Sequence, residues 1–102
     1  MSAYVVVEAI LHDPVAFKPY TEVVPGLVSK FGGEYIAIAG EHEALEGEWG
    51  ATRLVVHRWP DMQAARNFWY SDEYQAAKKL REGTGEFRVM LIDGIHRETI
   101  ED

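Results

Sequence analysis

The order of short apolar segments and helical segments constrains the fold of this chain more than any other feature. Four segments rich in β-branched and aromatic residues predict strands: Tyr4–Leu11, Glu34–Ala39, Thr52–Trp59 and Glu86–Asp93. Helical spacing of apolar residues predicts helices between the first two strands and between the last two. The order β-α-β-β-α-β is typical of an α+β, ferredoxin-like fold, in which a four-stranded antiparallel sheet carries its helices on one face.

Capping residues predict where the helices begin. Asp13-Pro14 predicts the start of the first helix, which runs to Phe31. Pro25 lies inside this helix, so we expect a kink or a restart there. Residues 62–70, and a stretch that begins at Ser71 as N-cap, predict the remaining helical segments.

The strands divide into two predicted faces, because successive side chains point to opposite sides of a sheet. One face is wholly apolar, and we expect it to pack under the helices; its members are Val5, Val7, Ala9, Ile36, Ile38, Leu54, Val56, Phe87, Val89 and Leu91. The other face mixes apolar and aromatic residues with charged or titratable ones; its members are Tyr4, Val6, Glu8, Ile10, Tyr35, Ala37, Arg53, Val55, His57, Trp59, Arg88, Met90 and Ile92.

The mixed face would expose more apolar surface than a monomer usually shows. We therefore expect a homodimer in which two such faces pack against each other. Polar groups in or near that interface need partners, and these four are expected to partner one another: Glu8, Arg53, His57 and Arg88.

The excess of acidic residues is confined to two segments. The chain of 102 residues has 17 acids and 10 bases, which give a formal net charge of −7. Four acids lie in Glu41–Glu48 and three lie in the last five residues, and the rest of the chain is balanced at ten each. The segment 41–50 has no clear period and predicts a loop. A negative chain argues against nucleic acid or an anionic membrane as partner, since both select basic surfaces.

Length and composition indicate one domain, residues 1–95, followed by an acidic tail, residues 96–102. No apolar run approaches the roughly 20 residues of a membrane-spanning helix. The absence of cysteine excludes disulfides and thiolate chemistry. The start of the sequence has neither the basic region nor the cleavage site of a secretory signal, so we expect a cytoplasmic protein.

Short motifs in a fixed order give the chain a resemblance to a known family. They are Phe31-Gly32-Gly33, Gly40, Leu45–Trp49, Arg53, Trp59-Pro60, Ser71–Gln75, Arg81 and Asp93-Gly94. In this order they resemble the family named domain of unknown function 1330, within the dimeric α+β barrel superfamily, over about Tyr4 to Gly94. The resemblance implies a ferredoxin-like fold and a barrel made by two sheets. It implies no one reaction, because its relatives include cofactor-free monooxygenases, small-lactone isomerases, haem enzymes and stress-induced proteins, and fold does not decide among them.

Two residues, His57 and Glu46, are predicted to be catalytic and to move protons. His57 is the only histidine on a predicted strand, and an imidazole suits a general base. It stands where the resemblance leads us to expect an aliphatic residue, so its role would be particular to this chain. Glu46 matches a glutamate of the family pattern. The structural alternatives are a satisfied interface histidine and a glutamate that bonds the amides of its own loop.

Five more residues are predicted to bind a ligand: Tyr20, Arg53, Trp69, Tyr74 and Arg81. The two tyrosines lie on helical stripes that face the sheet, where a phenol needs a hydrogen-bond partner. Trp69 is the middle one of three successive aromatic residues, which cannot share one buried stripe because helical neighbours point about 100° apart. The two arginines suit a carboxylate or an enolate oxygen. In the structural alternatives, the tyrosines bond to backbone, Trp69 packs at a helix or subunit contact, and the arginines form ion pairs or cap a helix.

The sequence predicts a small homodimeric protein that binds a small organic molecule in a cleft between helices and sheet. A cofactor-free oxygenase or isomerase is the concrete enzymatic form. No cofactor is expected, and no metal, because the spacing of metal ligands is absent. The alternative is a non-enzymatic structural or stress-related dimer whose cleft is filled by its own side chains. A cavity that reaches solvent distinguishes the two.

Overall fold

The predicted order of strands and helices is confirmed. A computed structural model describes residues 2–51 and 53–95 of the chain. Four strands and three helices follow one another as β1 (Ala3–Leu11), α1 (Pro14–Lys30), β2 (Glu34–Ile38), β3 (Arg53–Trp59), α2 (Met62–Trp69), α3 (Asp72–Lys78) and β4 (Gly85–Asp93). A short 3₁₀ turn, Lys79–Arg81, continues α3. The tail predicted at residues 96–102 lies outside the described residues.

The strands form one antiparallel sheet in the order β2-β3-β1-β4. β1 lies in the middle, so that Val5 stands opposite His57 on one side and Leu91 on the other. β2 lies at the edge and carries a bulge between Tyr35 and Ala37. This order, with the helices packed on one face, is the ferredoxin-like α+β fold.

The core lies between the helices and one face of the sheet, here called the helix face. Trp59 at the end of β3 is completely buried, and its ring centroid lies 4.9 Å from that of Phe68 in α2. Val28 from α1 and Tyr74 from α3 are buried in the same cluster. Fully burying one large apolar side chain contributes about 1.5–3 kcal/mol, so this cluster supplies much of the stability of the fold.

The predicted capping residues are confirmed at all three helix starts. The carboxylate of Asp13 accepts a hydrogen bond from the backbone N–H of Ala16, and Asp61 does the same for Ala64. The Ser71 hydroxyl accepts from the N–H of Tyr74. Of the kink or restart expected at Pro25, the restart is absent, because α1 continues through this proline to Lys30.

The predicted face of β3 is wrong. Residues directly opposite one another in an antiparallel pair share a face. Trp59, His57, Val55 and Arg53 stand opposite the helix-facing residues of β1, so all four point toward the helices and not toward a dimer interface. The segment Leu54-Val55-Val56 is uniformly apolar and shows no alternation, and the burial of the large Trp59 decides the orientation of the strand.

The predicted face of β2 is wrong in part. Tyr35 stands opposite His57 and Ile38 stands opposite Val55, so both point to the helix face. Ile36, which we expected under the helices, is the extra residue of the bulge and is 47% exposed. The added residue breaks the period of two, so no single alternation describes this strand.

The other side of the sheet, here called the open face, carries no helix among the described residues. Its apolar members are Val6, Ile10, Ala37, Leu54, Val56, Met90 and Ile92. Met90 is 67% exposed and Ile92 is 54% exposed. Arg88 Nη2 lies 2.7 Å from Glu8 Oε2 on this face. The expected contact between these two charges is thus present, whereas Arg53 and His57 lie on the opposite side of the sheet.

Replacing Gly33 by alanine should destabilise the fold. A Cβ at residue 33 would lie 2.7 Å from the Cη2 and Cζ2 atoms of the buried Trp59 ring, which has no free space to move into. We expect Gly33→Ala to lower the free energy of unfolding by about 1–3 kcal/mol in urea denaturation.

Gly26→Ala is the matched control for this substitution. A Cβ at residue 26 meets no atom within 4 Å, and alanine suits the interior of α1 better than glycine by about 0.5–1 kcal/mol. The close approach of Gly33 to the indole would be contradicted if both variants were as stable as the original chain.

Candidate active site

A cleft opens between α1 and the helix face of the sheet, where the sequence predicts a ligand site. The space inside it is about 70 Å³, and its mouth opens to solvent. Its walls are mainly apolar and aromatic; they consist of Val7, Ala9, Phe17, Tyr20, Thr21, Val24, Pro25, Tyr35, Ile38, Arg53, Val55, His57, Arg81 and Phe87. The described side chains therefore fill most of the cleft and leave a small space that opens to solvent.

Two arginines are the charged residues of this lining. The Arg81 guanidinium is nearly buried and lies over the ring of Phe87, with 4.3 Å between Cζ and the ring centroid. The Arg53 guanidinium lies 5.4 Å from the centroid of Phe17. Neither forms an ion pair with a carboxylate in the described part of the chain. Aromatic faces stabilise a cation without cancelling its charge, so the cleft is positive although the whole chain is acidic.

The predicted tyrosines form a hydrogen-bonded pair at the wall of the cleft. Tyr20 Oη and Tyr74 Oη are 2.8 Å apart, so each phenol has the other as partner. Burial raises the pKa of Tyr74 well above its ordinary value, and burial also raises the pKa of Tyr35 to about 12. Tyr74 and Tyr35 are therefore protonated at neutral pH. Tyr20 lines the cleft, whereas Tyr74 lies behind it.

His57 lies at the base of the cleft in a cluster of aromatic rings. It is 5% exposed, and its Nδ1 accepts a hydrogen bond of 2.9 Å from the indole N–H of Trp59. Burial lowers the pKa of the imidazole to about 4, because desolvation disfavours its charged form. His57 is therefore neutral at physiological pH.

Trp69 does not line the cleft. Its half-buried ring packs on Tyr74, with 4.9 Å between ring centroids, and Lys78 Nζ lies 5.2 Å from the Trp69 ring. It belongs to a separate groove beside α2 that Arg66 and Leu91 also line. The next residue along, Tyr70, is 74% exposed, which agrees with the expectation that three successive aromatic residues cannot all be buried.

Glu46 also lies outside the cleft. It belongs to residues 39–51, here called the acidic arm, which contain no helix or strand. Its backbone oxygen accepts a hydrogen bond of 3.0 Å from Trp49 Nε1. The hollow beside Glu46 includes Leu54, which belongs to the open face. Within one chain the structure therefore brings together Tyr20, Arg53, His57 and Arg81, and it does not bring Glu46 to them.

Sequence reasoning missed three aromatic residues of the cleft. Strand alternation predicts Tyr35 on the mixed face and Phe87 on the apolar face, and no motif points to Phe17. The rings of Phe17 and Phe87 stack with 5.7 Å between centroids and form the wall on which both guanidinium groups lie. The size of Trp59 was the signal available in the sequence, because its burial places His57, and hence Tyr35 opposite it, on the helix face.

The family of the chain is shown by its sequence. Residues 2–95 match the family described as Domain of unknown function (DUF1330). The chain belongs to this family. Among curated proteins none matches it. Within the described residues, no helix is long and apolar enough to cross a membrane, and no three His, Asp or Glu side chains are placed to bind one metal ion.

Solved structures of the same fold include proteins with and without a known activity. A protein of unknown function from Rhodopseudomonas palustris is similar with a TM-score of 0.76 and 13% identity, covering 93% of this chain and 83% of that chain. SnoaB, a cofactor-independent oxygenase from Streptomyces nogalater, is similar with a TM-score of 0.67 and 13% identity, covering 99% and 98%. A dimeric protein of unknown function with a ferredoxin-like fold, from Bacteroides fragilis, is similar with a TM-score of 0.58 and 15% identity, covering 91% and 96%.

The buried imidazole should make stability depend on pH. In the unfolded chain His57 takes up a proton near pH 6.5, whereas in the folded chain its pKa is about 4. The stabilisation that comes from neutral His57 is complete above pH 6.5 and is lost as the pH falls toward 4. The slope is about 1.36 kcal/mol per pH unit, and the whole loss is up to about 3 kcal/mol.

His57→Gln supplies the control for this titration, because its amide oxygen accepts from the Trp59 indole but does not titrate. The free energy of unfolding of both proteins is measured between pH 7 and 4. Because both proteins contain the same carboxylates, the difference between the two pH profiles is the contribution of His57. We expect the original chain to lose more stability than the variant over this range. Parallel pH profiles would contradict the lowered pKa of His57.

Proposed function

We propose that this protein binds a small organic anion, such as a carboxylate or an enolate, in the cleft between α1 and the helix face. The observation that supports this proposal is the presence of two guanidinium groups in a cleft with no carboxylate among its described lining residues. The aromatic walls suit a carbon skeleton. The Tyr20 and Tyr35 hydroxyl groups and the His57 imidazole are available for hydrogen bonds.

The burial of Arg81 strengthens this argument. A nearly buried cation has lost most of its water, and this desolvation is unfavourable unless an anion compensates it. A carboxylate placed against a guanidinium gains charge-assisted hydrogen bonds in a fixed planar geometry. The described residues that line the cleft supply no negative charge. An anionic ligand would therefore provide the counter-charge for Arg81.

In the enzymatic form of this proposal, the protein is a cofactor-free oxygenase or isomerase. The substrate would bind as an enolate that has already lost its proton to solvent, and the guanidinium groups would stabilise the enolate oxygen. The cofactor-independent oxygenase SnoaB has the same fold, which makes this chemistry a reasonable first assay. The open space inside the cleft is small, so the non-enzymatic alternative with a filled cleft stays a second candidate. A ligand that binds without turnover would leave a binding function alone.

We also propose that the protein is a cytoplasmic homodimer that packs open face against open face. Met90 and Ile92 on this face are more than half exposed in the single chain. Burying such a face stabilises an assembly by about 25 cal/mol for each Å² of apolar area. The dimeric state of the Bacteroides fragilis protein supports a dimer of this chain as well. In such a dimer the acidic arm would lie beside the partner subunit. Glu46 would then have the predicted catalytic role only if it reached the cleft of the partner subunit.

Binding of benzoate, compared with benzamide, tests the anion site. The two probes have the same ring, and only benzoate has a charge for the guanidinium groups. We expect isothermal titration calorimetry to show tighter binding of benzoate, and Arg53→Met to weaken it by about tenfold or more while affecting benzamide little. Arg66→Met, which removes an exposed arginine of α2 outside the cleft, is the matched control. Equal affinity for the two probes, or equal effects of the two substitutions, would refute the anion site.

The dimer has its own test. Met90→Glu places a carboxylate in the middle of the open face, and each dimer would then bury two of them close to Glu8. We expect light scattering at micromolar concentration to show a dimer for the original chain and a monomer for this variant. Val15→Glu is the control, since Val15 is 82% exposed on α1 and away from the open face. A monomeric original chain would disprove the proposed dimer.

A further inference from the structure

The hydrogen bond between Trp59 and His57 has only one possible direction. An indole nitrogen is a donor and never an acceptor. Trp59 Nε1 lies 2.9 Å from His57 Nδ1, and both residues are buried. Nδ1 must therefore be the acceptor nitrogen of the ring, and a neutral imidazole then carries its hydrogen on Nε2. An imidazolium, with hydrogens on both nitrogens, would place an N–H against the indole N–H.

The Nε2–H group of His57 reaches the cleft. No described residue accepts a hydrogen bond from this group. Every fully buried side-chain nitrogen of the described chain has a hydrogen-bond partner, so Nε2 is not fully buried. Nε2 is therefore in contact with open space. The open space that His57 lines is the cleft, so a bound molecule is the acceptor available to this donor.

Three aromatic rings fix the orientation of the imidazole. Tyr35, Trp59 and Phe68 all meet it edge to face, with interplanar angles of 77°, 74° and 81°. The ring centroids lie 5.3, 5.7 and 6.0 Å from that of His57, in the same order. With the plane and the tautomer both fixed, the donor is oriented before any ligand arrives, which reduces the entropic cost of forming its hydrogen bond.

We propose that Trp59 fixes His57 as a hydrogen-bond donor, and that the bound anion carries a second, uncharged acceptor oxygen for this donor. This inference rests on the proposed anion site. Arg53 and His57 lie on the same face of β3, four residues apart, which separates their backbones by about 13 Å along the strand. The ligand class is thus a carboxylate that also carries a carbonyl or ether oxygen apart from its charged end. Trp59 is the positioning residue, and His57 determines specificity.

The same geometry disfavours His57 as the general base predicted from the sequence. A base needs a nitrogen with a free lone pair that faces the substrate. The unprotonated nitrogen of this ring already accepts from the indole, and the nitrogen that faces the cleft already carries a hydrogen. His57 is therefore suited to stabilise a carbonyl oxygen or an oxyanion by donation.

Two nearly isosteric carboxylates, 4-acetylbenzoate and 4-isopropylbenzoate, test the ligand class. They share the ring and the charge, and they differ in the acceptor oxygen at the remote end. We expect the original chain to bind the acetyl compound about tenfold more tightly, because one hydrogen bond contributes about 1.4 kcal/mol. His57→Phe should abolish this preference and retain binding of both compounds. His57→Gln should retain the preference, because its amide both accepts from the indole and donates to the ligand.

Trp59→Phe tests the role of the indole without removing the imidazole. In ¹⁵N correlation spectra of the histidine rings at pH 7, we expect the His57 hydrogen on Nε2 in the original chain and a mixture of tautomers in the variant. The preference for the acetyl compound should fall severalfold in parallel. If His57→Phe does not fold, Trp59→Phe and His57→Gln still decide the question.

The outcomes separate this inference from the anion site. A hydrogen on Nδ1 in the original chain would overturn the inference, and so would an acetyl preference that persists in His57→Phe. Equal affinity for the two carboxylates, with benzoate still preferred over benzamide, would also overturn it and would leave the anion site intact. If no carboxylate binds the original chain, the proposed function fails and the ligand class fails with it, while the spectra still decide the tautomer.

Discussion

The burial of one side chain, the indole of Trp59, determines the geometry on which the cleft depends. The ring is completely buried at the end of β3, between Gly33 and the helices. Because side chains alternate along a strand, this placement turns His57, Val55 and Arg53 to the helix face. It also places the indole N–H where it bonds His57. The burial of Trp59 thus places the Arg53 guanidinium, the apolar side chain of Val55 and the neutral imidazole of His57 in the same cleft.

Much of the fold was predictable, because its signals are local. Asp13, Asp61 and Ser71 mark the helix starts through hydrogen bonds to amides three residues away, and spacing within about ten residues is enough to recognise them. The face of β3 was not predictable in this way. Leu54, Val55 and Val56 are equally suited to either side of a sheet, so only the size of Trp59, a tertiary constraint, distinguishes the two orientations.

The site was predictable only in part for related physical reasons. Helical periodicity placed Tyr20 and Tyr74 on stripes toward the sheet, and the two hydroxyl groups meet there. Periodicity cannot show that two stripes from different helices converge, so the hydrogen bond itself was beyond the sequence. Glu46 lies in a segment with no period at all. Nothing in the sequence indicated that its segment lies toward the open face and away from His57.

The bulge in β2 has a consequence for how the molecule behaves at high concentration. β2 is an edge strand of five residues, and an edge presents unpaired backbone groups to which another chain can add a strand. The bulge at Ile36 interrupts that row, and the ion pair of Glu34 with Arg58 puts charge beside it. Both features discourage growth of the sheet from this side into a fibril. In the proposed dimer, association through the open face would instead end at a closed assembly.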